Sequence, residues 1–301
     1  MRSIHGHILL QLKNNMGGFF KNIGSNVREE MLNELVDWIW IHDRGANRDD
    51  LMNNLVIKDD LTVNYSSDIA VKITLLINDN DKYELPFPFK FGDDIDFAII
   101  FAGAEFNMMN QWRKILPKRI VNMSMVSMSI RDWEWLNGVE YIEDLNMHNS
   151  AIHCGFDGFH PEINNKIEMM RCDIPNLKGF PTFGNFSYIN IFECFNLKDI
   201  SGLGDNNSKF RTVSIRRCND ISEIGDLSGI IIDNLYVNSS FIELAMTSNC
   251  KLFKEIRKKV NVFWDSEGSK EDYFKIYHSK ATDINKYICN MYPDTEFEIH
   301  L

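Results

Sequence analysis

The chain of 301 residues predicts an α/β protein whose middle winds into a parallel-β solenoid of about six short coils, each of 22–24 residues. Three observations carry this. Cys172, Cys194 and Cys218 recur at gaps of 22 and 24 residues, and further steps of 22 reach Ser150 and Met128 on one side and Ser240 on the other. At all six anchors the residues three and five before are apolar: Met123/Met125, Leu145/Met147, Ile167/Met169, Ile189/Ile191, Val213/Ile215 and Leu235/Val237. Behind the anchors the apolar spacing changes to three, as in Leu197, Ile200, Leu203 and again Ile221, Ile224, Leu227.

Each element has a physical reason. Side chains on a strand alternate between faces, so two apolar residues two apart point the same way, into a core. The anchor falls where the chain turns off the sheet. A Cys or Ser there can hydrogen-bond backbone groups that the bend would leave unpaired, which makes Ser150, Cys172, Cys194, Cys218 and Ser240 a structural ladder. Eight before the anchors stand Ile120, Ile142, Asn164, Phe186, Phe210 and Ile232, with Asn164 the exception. Spacing by three suits a tight 3₁₀ return, and Gly202, Gly204, Gly225 and Gly229 supply turns. One coil cannot bury its own apolar side, so stacked coils and end caps are required.

The flanks divide the chain into residues 1–118, a mixed helix-and-strand N-terminal cap; 119–240, the solenoid; and 241–301, an α-rich C-terminal cap or small effector unit. Residues 27–42 read as an amphipathic helix, with Met31, Leu32, Leu35, Trp38 and Ile39 at helical spacing. Residues 61–77 alternate as one or two strands broken at 66–68, residues 78–81 form a turn cluster, and 97–101 are a buried strand. Phe101, Gly103 and Phe106 match one further weak coil. Beyond Ser240, residues 241–260 read as a helix, 261–264 as a strand, 271–291 as a second helix and 297–301 as a final strand.

Composition bounds the function. A net charge of −11 and a pI near 5.2 oppose binding to nucleic-acid phosphates and anionic membranes. No stretch approaches the roughly 18 apolar residues of a membrane-spanning helix, and the first twenty residues lack the pattern of a cleaved leader. The expected location is cytoplasmic. No CxxC pair exists among the six cysteines. His148, His153 and His160 stand near Cys154 but at repeat positions that point apart, so neither metal nor cofactor is expected. A Walker loop, a dinucleotide fingerprint, a nucleophile elbow and an HExxH pair are all missing, and no catalytic residue is assigned.

The segments INIFECFNLKDISGL (189–203) and VSIRRCNDISEI (213–224), with the pattern L-x-x-L-x-L-x-x-N/C, resemble the divergent leucine-rich-repeat proteins of large tailed bacteriophages and some bacteria. The approach to the coils, DLTVN at 60–64 and LPFPFKFG at 85–92, is similar to that group, and the resemblance covers residues 27–240. It implies a leucine-rich-repeat-like solenoid, an intracellular phage or bacterial origin, and a role in binding macromolecules. The family has no common catalytic set, and Met replaces Leu in several coils here.

Residues between the inward pairs face outward. Counting from the anchors places Met170, Phe192, Tyr188 and Tyr236 on the sheet surface, with Arg171, Glu193, Arg216 and Arg217 beside them. Aromatics, Met and Arg are enriched at the centres of interfaces, so these eight residues form the candidate partner-binding patch. Pairing of Arg171 or Arg217 with Glu193 is the alternative use of the same charges. The partner expected is a host or viral protein that the chain modulates or inhibits. An effector enzyme in 241–301, or a role in the virion, are the other readings.

Overall fold

The computed structural model describes residues 25–43, 45–66, 72–78, 85–103, 112–181, 183, 187–205, 209–247, 252–264 and 270–300, with side chains for all of these except 25, 205 and 270–278. Its centre is one ten-stranded sheet in which every neighbouring pair is parallel. In spatial and chain order the strands are β3 (Lys72–Asn78), β5 (Asp96–Ala102), β6 (Arg119–Val126), β8 (Tyr141–His148), β10 (Glu162–Met170), β11 (Ser187–Phe192), β12 (Lys209–Arg216), β13 (Ile231–Asn238), β14 (Glu255–Phe263) and β15 (Glu296–His300). Strands that follow one another in sequence and pair in parallel are a parallel-β solenoid. Short strands β1 (Leu55–Ile57), β2 (Thr62–Tyr65) and β4 (Lys90–Phe91) make a separate three-stranded sheet, and β7 (Ser129–Ile130) pairs with β9 (Ala151–Ile152) at a turn.

The register places the apolar pairs one above another: Leu75 beside Ile99, then Met123, Leu145, Ile167, Ile189, Val213, Leu235, Val260 and Phe297. All but Phe297 are buried. The sheet therefore continues past residues 119–240 on both sides. The strand expected at 97–101 is β5, and β3 adds a strand before it. The return segments carry 3₁₀ turns at Glu134–Leu136 and Ser201–Asp205. Gly202 is needed for close approach, since a Cβ there would lie 1.9 Å from the carbonyl oxygen of Leu177 in the preceding coil. An aromatic chain threads the interior: Trp112, Phe101, Trp135, Trp133, Phe156, Phe180, Phe183 and Phe210, with successive centroids 4.9–6.3 Å apart. The buried Trp133 Nε1 donates to Gly155 O at 3.0 Å, satisfying its polar edge.

Helix α1 (Ser25–His42) covers the N-terminal end with Met31, Leu35, Val36, Trp38 and Ile39 buried. Behind it Asp43, itself buried, accepts from Gly45 N at 3.0 Å and Thr74 N at 2.7 Å, which occupies an amide of the edge strand β3. Helix α2 (Arg48–Asn54) is capped by Asn47, whose side chain accepts from the amides of Asp49 and Asp50.

The C-terminal flank departs from the helical reading of 241–260. Helix α3 (Ser239–Thr247) is short, and 255–263 is strand β14. The reason is a bulge: Ile256 pairs with Ile232 but Lys259 with Asn234, so β14 carries an extra residue and its alternation slips by one. Helix α4 (Lys270–Met291) and β15 fall where a helix and a final strand are expected. The turn cluster at 79–81, Phe106, Phe186 and the first twenty residues lie outside the described residues. No helix among the described residues is long and apolar enough to cross a membrane.

Candidate functional site

The anchors organise the corner of each coil. Ser150 Oγ accepts from Met128 N at 3.1 Å and donates to His148 O at 3.0 Å. Cys172 Sγ donates to Met147 O at 3.3 Å, Cys194 Sγ to Met169 O at 3.7 Å and Cys218 Sγ to Ile191 O at 3.9 Å. All four side chains are buried. Hydrogen bonds among the neighbouring thiols, then burial, push the Cys194 thiol well above its ordinary value, which makes it a protonated packing group and a poor nucleophile. Ser240 departs from this pattern: the coil enters α3 there, and Ser240 is an exposed residue of its first turn.

The residue just before each of the first five anchors adopts a left-handed backbone: Ser127 (φ 55°), Asn149 (51°), Arg171 (55°), Glu193 (52°) and Arg217 (54°), preceded by Gly103 (64°). Their amides point along the stack. Gly103 N donates to Val126 O, Ser127 N to His148 O, Asn149 N to Met170 O, Arg171 N to Phe192 O and Glu193 N to Arg216 O, at 2.8–3.0 Å. Arg217 N ends the series on the Asn238 side chain at 2.6 Å. The counting that placed Arg171, Glu193 and Arg217 beside the outward patch is thus refined: they stand at the corner that rims it.

Phe192 and Arg216 are cross-strand neighbours on the outward face. The Arg216 guanidinium lies 5.3 Å from the Phe192 ring centroid and 5.0 Å from that of Phe263. Its Nε donates to Ser214 Oγ at 3.1 Å. Phe263 in turn stacks on His300 at 4.8 Å and on Tyr236 at 6.5 Å. A half-buried row of rings with one arginine between them thus crosses β11 to β15. At the rim, Glu193 accepts from Arg171 at 2.8 Å and from Arg217 at 2.7 Å. Those bonds, Arg171 first, hold its carboxyl below the usual carboxylate range. The Arg217 guanidinium also sits 5.4 Å from the Phe192 ring. The pairing of Arg171 and Arg217 with Glu193 therefore forms, while Arg216 has no carboxylate partner among the described residues.

Met170 flanks Phe192 across β10 and β11. Tyr188 lies on a row nearer the strand starts, where its hydroxyl accepts from Arg211 Nη1 at 2.8 Å. The sequence reading missed Phe263, His300 and Arg211. A step of 25 from Ser240, which puts Val260 and Val262 on the inward positions, would have found Phe263. Elsewhere on the face Glu168 meets His148 at 3.3 Å and Lys166 at 3.6 Å. His153, by contrast, is at a turn against Ser129 Oγ. Among the described residues no group of three or more His, Cys, Asp or Glu is arranged to hold a metal ion. Compared with protein-family models, curated proteins and solved structures, the chain matches none.

Proposed function

We propose that the protein is a non-catalytic binding module of the divergent leucine-rich-repeat-like kind, a phage-type accessory protein that captures a host or viral protein on its outward sheet face and modulates or inhibits it in the host cytoplasm. The observation that carries this is the row Phe192, Arg216, Phe263, Tyr236 and His300. Rings and an arginine, half-buried and fixed by one another, have the composition of an interface centre. They also lose little conformational freedom on binding, because strands hold them in place.

The alternative of an effector seated in 241–301 has less support, since β14 and β15 extend the same sheet in register with β13. The test is affinity capture from infected or expressing cells with the wild-type chain and with Phe192→Ala/Arg216→Ala. Both side chains point away from the core, so the variant should keep its melting temperature. Loss of two interface anchors should lower partner affinity at least about thirtyfold. Undiminished capture by a folded double variant removes this face from consideration.

A further inference from the structure

We propose that Arg216 is the anchor of this face and that it takes a side-chain carboxylate from an acidic segment of the protein partner; this rests on reading the face as a protein-binding surface. Three observations converge on it. The guanidinium is held between the Phe192 and Phe263 rings and steadied by Ser214, which leaves its terminal nitrogens without an acceptor among the described residues and its plane fixed. A planar guanidinium fork matches a carboxylate with two parallel hydrogen bonds, and stacking lowers the entropy lost in forming them.

Charge supports the same occupant. Arg171, Arg216 and Arg217 stand against the single carboxylate of Glu193, a local positive excess on a chain whose net charge is −11. The surroundings argue against a running polyanion. Asp144 and Glu168 lie on one side of the cluster and Glu296 and Glu298 on the other, interrupting the continuous basic track that a nucleic-acid backbone needs. A short acidic peptide segment fits between them.

The probe is N-acetyl-aspartate amide, titrated into the full-length protein while the backbone amide resonances of residues 192, 216 and 263 are followed by NMR, with its neutral isostere N-acetyl-asparagine amide in parallel. The expected result is a saturable shift with the aspartate compound alone. Arg216→Gln should abolish the response, and Arg216→Lys should weaken it about tenfold, because an ammonium keeps the charge but loses the fork and the stack. The wild-type titration needs no variant, so a misfolded substitution leaves the test intact.

Equal response to the asparagine compound, no saturable response, or equal binding by Arg216→Lys would each overturn the assignment. Tighter binding of inorganic phosphate or of a dT12 oligonucleotide would overturn it in favour of a phosphate ligand. A captured protein that is lost with Phe192→Ala but bound at full affinity by Arg216→Gln would refute the anchor and leave the protein-binding reading standing. A specific aspartate response with no protein ever captured would refute the peptide source, and with it the proposed function.

Discussion

Glu193 accepts hydrogen bonds from two arginines that belong to the coils on either side of it, so one carboxylate ties three coils at their rim. Arg171 and then Arg217 hold its carboxyl below the ordinary range. A lowered folded-state value means that its stabilisation is fully present above the unfolded value and is lost as pH falls through the folded one. Thermal unfolding of the wild type and of Glu193→Gln should therefore differ at neutral pH, with the wild type melting higher. The gap should close as pH falls through the acid range below the ordinary glutamate value of about 4.3. A gap that stays constant over that range would show that the ion pairs contribute nothing. Glu298, lowered by Lys259, acts in the same direction at the last strand, so acid loosens the far end as well. At this scale the sequence was half legible. Counting from the anchors placed Phe192 and Arg216 together, but the second ring over Arg216 comes from Phe263, beyond a segment whose repeat phase is shifted.

The corner is the element that repeats most faithfully, and it repeats in geometry while its residues do not. Gly, Ser, Asn, Arg, Glu and Arg occupy six successive left-handed positions. Each costs about 1 kcal/mol for a residue with a Cβ. The conformation is imposed from outside, by the amide that must reach the next coil. Sequence reasoning could not see this, because no residue type signals it. The apolar pairs of β6 to β13 were plain, since simple alternation encodes them, whereas the bulge in β14 breaks that alternation and made a strand look helical. Asn149 gives the cleanest test. Asn149→Val places a β-branched residue at a φ of 51° and should cost about 1–2 kcal/mol in chemical denaturation. Asn149→Gly should stay within about 0.5 kcal/mol of the wild type or exceed it. A neutral Asn149→Val would mean that the corner relaxes to another conformation.

At the scale of the whole molecule, the described strands of the main sheet pair only with their neighbours in it, and both flanks contribute to that one sheet. At the N-terminal end α1 and Asp43 cover β3. At the C-terminal end β14 covers β13, placing Val260 and Val262 against Leu235 and Val237, and β15 covers β14 in turn. Removing residues 241–301 would therefore bare a paired edge and its apolar residues, the arrangement that recruits other chains. The truncated protein is expected to elute as aggregate in size-exclusion chromatography, and the separate 241–301 fragment to show no cooperative melting. A monomeric, cooperatively melting fragment would instead mark an independent unit. The solenoid was legible as a whole from its period. Its true extent was not, because the outer coils replace the Cys or Ser anchor or vary its spacing.

The corner ladder also has a mechanical consequence. Its hydrogen bonds, like those of the sheet, run along the stack, and among the described residues no strand pairs the first coil with the last. Tension applied at the two ends would peel the molecule coil by coil. Each release would free roughly 70–85 Å of extended chain, at about 3.3–3.6 Å per residue over one period. In an optical trap the protein should lengthen in a staircase of near-equal steps over the coils from β3 to β14, with one longer step at the C-terminal end, where Val260 pairs with Phe297.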